Sequence, residues 1–279
     1  MRLLIFGLGY TGSAIARRLA PGGWRVAAVT RDGRDDSIAF GDAERVGFEI
    51  AHATHIVSTV APAETDPILA SFGPQLASAT AWLGYLSSTG VYGDTQGAWV
   101  DEAAPIGGGR RTARAGADTA WLALGARVFR LPGIYGPGRS PLERAARGEA
   151  ARIHVPGQVF SRVHLDDIVS GVIAGFDAPG GAYNLADDLP APQSDVVAYA
   201  CALLGIAPPP LVPLESADLS PQARAFYSEN RRVANLKAKR MLGWRPLFPD
   251  YRLGLRALSA STSPIITSAA PATASSDQR

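Results

Sequence analysis

With 279 residues, 47% of them hydrophobic and 19% charged, the chain has the composition of a folded protein of one large domain or two modest ones, and wholesale disorder is excluded. Its net charge of +2 gives no argument for a nucleic-acid or membrane partner, and no apolar run is long enough to span a bilayer. The single cysteine, Cys201, rules out an intramolecular disulfide, and His52, His55, His154 and His164 are scattered without metal-ligand spacing.

Strand-like and helix-like patterns alternate from the start. Residues 3–6 (LLIF) form a short continuous apolar run, as in a strand buried on both faces of a parallel sheet. Residues 13–19 have helical character, with Ala14, Ile15 and Leu19 apolar and Arg17 and Arg18 polar, and Pro21-Gly22-Gly23 ends them. Strands are predicted over 24–30, 55–60, 82–87 and 127–131, and helices over 67–76 and 113–124. Residues 42–51 read as a helix with a poor or missing strand before it. Further on, 165–176 present an apolar helical face, 182–185 a late strand, and 196–204 and 236–242 short helices. Pro208-Pro209-Pro210 stiffens one connection. Residues 259–279 are Ser, Ala, Thr and Pro with almost no charge and read as a disordered tail. Arg2, the apolar stretch after it and Ala14-Ile15-Ala16 imitate a secretory signal. Gly7 and Gly9 interrupt that stretch, however, and a buried strand entering a glycine turn accounts for the same residues, so the expectation is a cytoplasmic protein.

Strand, helix, strand, helix at this spacing implies βαβ units in a Rossmann-type, doubly wound parallel sheet of the α/β class. The first turn agrees. Gly7-Leu8-Gly9-Tyr10-Thr11-Gly12 follows the first strand and opens the first helix. Gly7 permits the tight turn, Gly9 lets a pyrophosphate approach the backbone, and Gly12 lets helix and strand pack closely. The free N–H groups of Tyr10, Thr11 and their neighbours then face the phosphates. At the end of the second strand, where an NAD site places Asp or Glu, the chain has Thr30 followed by Arg31. A guanidinium there forks onto a 2′-phosphate, which favours NADP(H) over NAD(H), although Asp32 offers the ribose a carboxylate and Arg31 also reads as a solvated charge.

Further motifs carry a resemblance. Leu86-Ser87-Ser88-Thr89-Gly90-Val91-Tyr92-Gly93 is followed by Asp101-Glu102 and Pro105, then by Arg130-Leu131-Pro132-Gly133-Ile134-Tyr135-Gly136-Pro137-Gly138, Arg162-Val163-His164-Leu165-Asp166-Asp167 and Tyr183-Asn184-Leu185. In this order they resemble the extended short-chain dehydrogenase/reductase family of NAD(P)-dependent epimerases and dehydratases, and look most like its atypical YeeZ-like branch. The resemblance covers residues 1–258. It implies one NAD(P)-binding unit over that range, with a smaller C-terminal, substrate-capping lobe built mainly from about 136–162 and 188–258. It implies that the segment containing Thr59 and Ala61 lines the cofactor, that Ser88 bonds the substrate oxygen undergoing redox change, and that Pro132 and Ile134 pass the nicotinamide carboxamide. Thr89 and Tyr135 fall on the substrate side, and Arg162 and His164 lie where relatives contact the substrate, often its phosphate. The implied function is that of an oxidoreductase or epimerase/dehydratase acting on a small substrate of the phosphorylated or nucleotide-linked kind.

One departure matters. The family's proton relay is a Tyr followed four residues later by a Lys. With Asp118 set against the family's acidic position, those slots hold Arg110 and Arg114, and no tyrosine lies between Tyr92 and Tyr135. An arginine stays protonated and cannot shuttle a proton, whereas Arg114 still supplies positive charge to a ribose or a developing oxyanion. General acid work then falls to Tyr92, to His164, to water or to nothing. The departure leaves open a catalytically silent NADP(H)-binding sensor or partner-binding module. Plainer readings stand beside the functional ones: Ser88 as a cap on its turn, Tyr92 and Tyr135 as packing, Arg162 paired with Asp166 or Asp167, His164 as a structural hydrogen-bonder, and Cys201 as core. No metal is expected. The expected partner is a small molecule, with a homodimer through the helices at 67–76 and 113–124 by analogy with relatives.

Overall fold

Every strand of the main sheet runs the same way, so its strands are joined by crossovers, most of them helical, and the helices cover both faces. The computed structural model describes residues 1–110 and 112–262. In chain order its elements are β1 (Arg2–Phe6), α1 (Tyr10–Leu19), β2 (Arg25–Thr30), β3 (Ile38–Ala39), α2 (Ala43–His52), β4 (His55–Ser58), α3 (Pro67–Ser78), β5 (Trp82–Ser88), β6 (Trp99–Val100) and α4 (Thr112–Ala123). There follow β7 (Arg127–Leu131), β8 (Gly133–Tyr135), α5 (Pro141–Ala146), β9 (Arg152–His154), β10 (Arg162–His164), α6 (Leu165–Ala174), β11 (Gly181–Asn184) and α7 (Gln193–Leu204). The last are β12 (Leu211–Pro213), α8 (Pro221–Ala225), β13 (Arg232–Val233), α9 (Leu236–Met241) and α10 (Tyr251–Thr262). The seven-stranded sheet has the order β11-β7-β5-β4-β1-β2-β3, and its sense of winding reverses between β1 and β4.

The apolar run of β1 is explained by its place in the middle of that sheet. Leu3 and Ile5 enter the core on the face covered by α1 and α6, while Leu4 and Phe6 enter the core against α2, α3 and α4. All four are essentially inaccessible to solvent, and burying each such side chain contributes about 1.5–3 kcal/mol. The poor strand expected before α2 is β3, two residues long at the sheet edge. Acidic caps start the helices on one face: Asp42 accepts from the Arg45 amide, and Asp66 accepts from the amides of Ile68 and Leu69 ahead of Pro67 at the first turn. Asp66 also accepts from Trp121 Nε1 at 2.9 Å, tying α3 to α4.

A second core lies beyond β8. Tyr135, Leu142 and Ala145 meet Val196, Val197, Ala200 and Cys201 of α7 and Tyr251, Leu255 and Leu258 of α10. Cys201 is buried there as core. At Gly254 of α10 an added Cβ would run into the Tyr135 ring, which explains the glycine. Two details correct the outline drawn from the sequence. Ala238 and Trp244, expected in the lobe, pack into the first core. Helix α10, which the sequence reading missed, continues to Thr262, because Leu255 and Leu258 pin it and Ser261 Oγ donates back to the Leu258 carbonyl. Residues 259–262, assigned to the tail from composition, are therefore helical, and the rest of the expected tail, 263–279, lies outside the described residues. Among the described residues no helix is long and apolar enough to cross a membrane.

Candidate functional site

In an open parallel sheet the crevice lies at the carboxyl ends of the strands, where the winding reverses. Here that point is between β1 and β4, and the glycine turn occupies it. Gly7 has φ +94°, and its amide donates to Val29 O at 2.9 Å. The Thr59 hydroxyl, from the strand end across the reversal, donates to the Gly7 carbonyl at 2.9 Å. A Cβ at Gly7 would fall 2.8 Å from that hydroxyl, and one at Gly12 would run into the Gly7 carbonyl oxygen. Both positions need glycine for packing. Gly9 differs: an added Cβ meets nothing within 4 Å. It caps α1 without any side-chain hydrogen bond, and the first turn holds no acidic residue. An uncapped helix start facing open space beside a residue without a side chain fits a dinucleotide diphosphate.

The helix start opens on a cleft of about 910 Å³. Of the residues singled out from the sequence, Gly9, Tyr10, Thr11, Thr59, Ser88, Thr89, Arg114, Pro132, Ile134 and Arg162 line it, with Gly7 and Gly12 directly behind. Ser88 is at the end of β5, where its Oγ also accepts from the Gly90 amide at 3.1 Å and caps the short 3-10 helix Thr89–Tyr92. Arg114 is held by two acceptors, the Tyr85 hydroxyl at 3.1 Å and the Leu86 carbonyl at 3.3 Å. Tyr85 is fully buried and stacked on Trp121, and burial pushes its phenol up to about 12 despite Arg114. Arg110 lines the cleft as well, but its backbone amide and guanidinium both turn to Glu229, which Arg231 shares.

Other expected positions stand elsewhere. Arg31 is exposed at the end of β2 and does not line the cleft. Asp32, the competing carboxylate, accepts weakly from Thr30 Oγ1 at 3.4 Å, and Thr30 pairs with Ser37 in the same loop. Ala61 is exposed outside the cleft wall. Tyr92 is 5% exposed and sits behind the wall. Its hydroxyl donates to Asn184 Oδ1 at 2.8 Å and accepts from Arg130 Nη1 at 3.0 Å, and burial pushes its pKa up to about 12. That corrects the expectation of Tyr92 as a proton donor at the cleft: its hydroxyl completes a buried network in which Arg130 clamps Asp118 with two bonds and Ser87 donates to the same carboxylate at 2.6 Å. Tyr135 and His164 are likewise buried off the cleft. His164 caps α6 by accepting from the Asp166 amide, and burial lowers its pKa.

The sequence reading missed Arg139, Arg144 and Tyr227, which also line the cleft. Arg139 lies over the Tyr10 ring, and Tyr10 donates to Pro137 O at 2.9 Å, so the second lobe is fastened to the glycine turn. Arg139 follows the Tyr135–Gly138 motif directly and was within reach of it. Tyr227 reaches the cleft only through tertiary folding.

No protein-family model matches the chain. A 3-diazoavenalumate denitrifying reductase of a Streptomyces species is 31% identical over 168 residues, 54% of each chain, so this chain spans about half the length of that relative. Protein YeeZ of Escherichia coli K12 is 27% identical over 238 residues, covering 75% of this chain and 85% of YeeZ. Among solved structures, a functionally unknown conserved protein from Silicibacter pomeroyi is 42% identical with a TM-score of 0.87, over 93% of this chain and 98% of the other. The human epimerase family protein SDR39U1, solved with NADPH, has the same fold at 18% identity, with a TM-score of 0.74 over 93% and 99% of the two chains.

Proposed function

We propose that the chain is an atypical, YeeZ-like member of the extended short-chain dehydrogenase/reductase family and an NADP(H)-dependent oxidoreductase or epimerase/dehydratase-like enzyme acting on a small phosphorylated or nucleotide-linked substrate, a reading supported by its likeness to YeeZ and by its fold. One observation carries this reading: the uncapped start of α1, Ser88, Arg114, the Pro132–Ile134 segment and Arg162 all line one continuous cleft.

Bound NADPH supplies a hydride donor. The chain's own groups do the remainder. The first turn of α1 holds the diphosphate through its N–H groups and dipole. Arg31 reaches the 2′-phosphate, a role supported by its exposure and by the turning of Asp32 toward Thr30. Ser88 donates to the substrate oxygen, and Arg114, fixed by Tyr85 and Leu86, places positive charge where that oxygen becomes negative. Arg114 keeps its proton, so the proton that completes an alcohol comes from solvent entering the cleft. Arg162 takes an anionic group of the substrate at the far end. Two copies pair through α3 and α4, a state that light scattering of the purified protein tests.

Calorimetric titration with NADPH, NADP⁺, NADH and NAD⁺, followed by NADPH absorbance across a panel of carbonyl metabolites, tests the proposal. We expect heat with the NADP(H) pair above all and consumption with at least one carbonyl. No heat with any of the four coenzymes refutes it. Tight binding without turnover across a broad panel selects the silent sensor instead, which the capture of Arg110 by Glu229 and the burial of Tyr92 would then explain.

A further inference from the structure

Several buried polar atoms without a hydrogen-bond partner gather behind Arg162. They are the Tyr135 hydroxyl, Nε2 of His164 and both carboxylate oxygens of Asp187. Asp187 follows β11 and is 2% exposed. Its amide donates to the Arg162 carbonyl at 2.7 Å, so it is stitched to the strand that carries the arginine. Arg162 Nη1 donates to the carbonyls of Phe160 and Ala191, at 2.8 and 3.0 Å, while the residue also lines the cleft. The amides of Arg162 and Leu189 come near the Asp187 carboxyl but make no hydrogen bond to it. An ionised carboxylate in such a place is costly, because two distant amides and a neighbouring guanidinium replace only part of the water it has lost. Burial outweighs the nearby guanidinium, and the carboxyl is pushed up to about 8.

We propose that Arg162 and Asp187 form a proton-coupled seat for a phosphoryl oxyanion of the substrate, in which Asp187 carries a proton and leaves the charge of Arg162 to the ligand. The inference rests on the reading of this cleft as a substrate site. An ionised Asp187 would neutralise Arg162 and repel the incoming anion. A protonated Asp187 does neither, and the added negative charge of the ligand favours its neutral form further. Above the titration of the free protein, binding therefore takes up one proton from solvent, and affinity falls as pH rises.

The groups facing this pair are Tyr135 from β8, Tyr251 at α10, Tyr227 and Asp188 beside Asp187, and behind Tyr135 stand Asp167 from α6, Asp250 and, edge-on to its ring, His164 from β10. Burial raises the phenols of Tyr135, Tyr227 and Tyr251 and lowers His164, which stays neutral. Asp167 is pushed up to about 6 by burial and is ionised above that. Lys239 and Asn235 hold Asp188. Of these groups, Asp187 is the one that changes charge just above neutrality.

The test is a carbon-13 carboxyl titration of the full chain from about pH 6 to 9, with Asp187→Asn assigning the signal and sulfate, dianionic throughout, as the probe. We expect Asp187 to titrate near 8 in the free protein and higher with saturating sulfate. Sulfate affinity should fall by up to about tenfold per pH unit above that point, and the slope should vanish in Asp187→Asn. An Asp187 already ionised at the acid end overturns the inference, whatever sulfate does. An Asp187 that titrates as expected but ignores sulfate overturns the coupling. In that event Arg162→Gln separates the two claims: unchanged sulfate binding removes Arg162 from the substrate site, whereas lost binding leaves Arg162 in place and removes only Asp187.

Discussion

Gly9→Ala separates the cofactor seat from the scaffold. The added methyl has no protein atom within 4 Å, and the backbone there, at φ −76°, suits alanine. Alanine is a poorer N-cap than glycine but restricts the unfolded chain, and the two effects cancel to within about 0.5 kcal/mol. The melting temperature should therefore stay within about 2 °C of the parent. Binding should not. The methyl stands where a diphosphate must meet the first amides of α1, and each such charge-assisted bond contributes about 1.5–3 kcal/mol. Losing one raises the Kd for NADPH by at least about tenfold, since a factor of ten is about 1.4 kcal/mol. Calorimetry of NADPH binding beside thermal melting reads both quantities. Gly12→Ala is the contrast: its Cβ collides with the Gly7 carbonyl, so stability and binding should fall together. A Gly9→Ala protein that binds NADPH as tightly as its parent would refute the diphosphate seat.

Arg31→Ala should weaken NADPH by about tenfold or more through loss of a charge-assisted pair, and leave NADH within about twofold. Equal effects on both coenzymes, measured by the same titration, would remove Arg31 from the 2′-phosphate. Asp118 is fully buried beneath the two-bond clamp of Arg130, so Asp118→Asn leaves a buried guanidinium uncompensated and should cost about 3–5 kcal/mol in urea unfolding. A loss below about 1 kcal/mol would show that the clamp is relieved by other acceptors. Burial holds the imidazoles of His55 and His164 below their ordinary value near 6.5. The unfolded chain then binds protons that the folded one refuses, so stability is intact above about pH 6.5 and is lost as pH falls through the folded values. Proton NMR of the two rings checks this, and titration above 6.5 would reverse the sign.

What could be read from the sequence depended on how local the cause was. Residues 3–6 announced a central strand because both of their faces are buried, and the weak signal before Asp42 matched a strand of two residues. The glycine turn was legible because Gly7 and Gly12 meet constraints within the turn or just beside it, while Gly9 leaves the start of α1 open. Tyr92 was not, since its partners Arg130 and Asn184 lie 38 and 92 residues away and reach it only through the finished sheet. Asp187 sits in a run of small and acidic residues that gives no hint of its burial. Helix α10 did leave a trace: Tyr251, Leu255 and Leu258 keep the spacing of one helical face, obscured by the Ser- and Ala-rich stretch that begins just after them.

The second core gathers its walls from three separated stretches, the last of them α10. On a ribosome, six of the seven sheet strands have emerged by Leu131, but the core around Tyr135 and Leu142 gains its α7 wall only later and is closed only when Leu258 is made, roughly ten seconds after Leu131 at ordinary synthesis speeds. The nascent protein thus passes through a stage with its sheet largely assembled and its lobe unroofed. That interval is when a chaperone or a stray neighbour meets its sticky side.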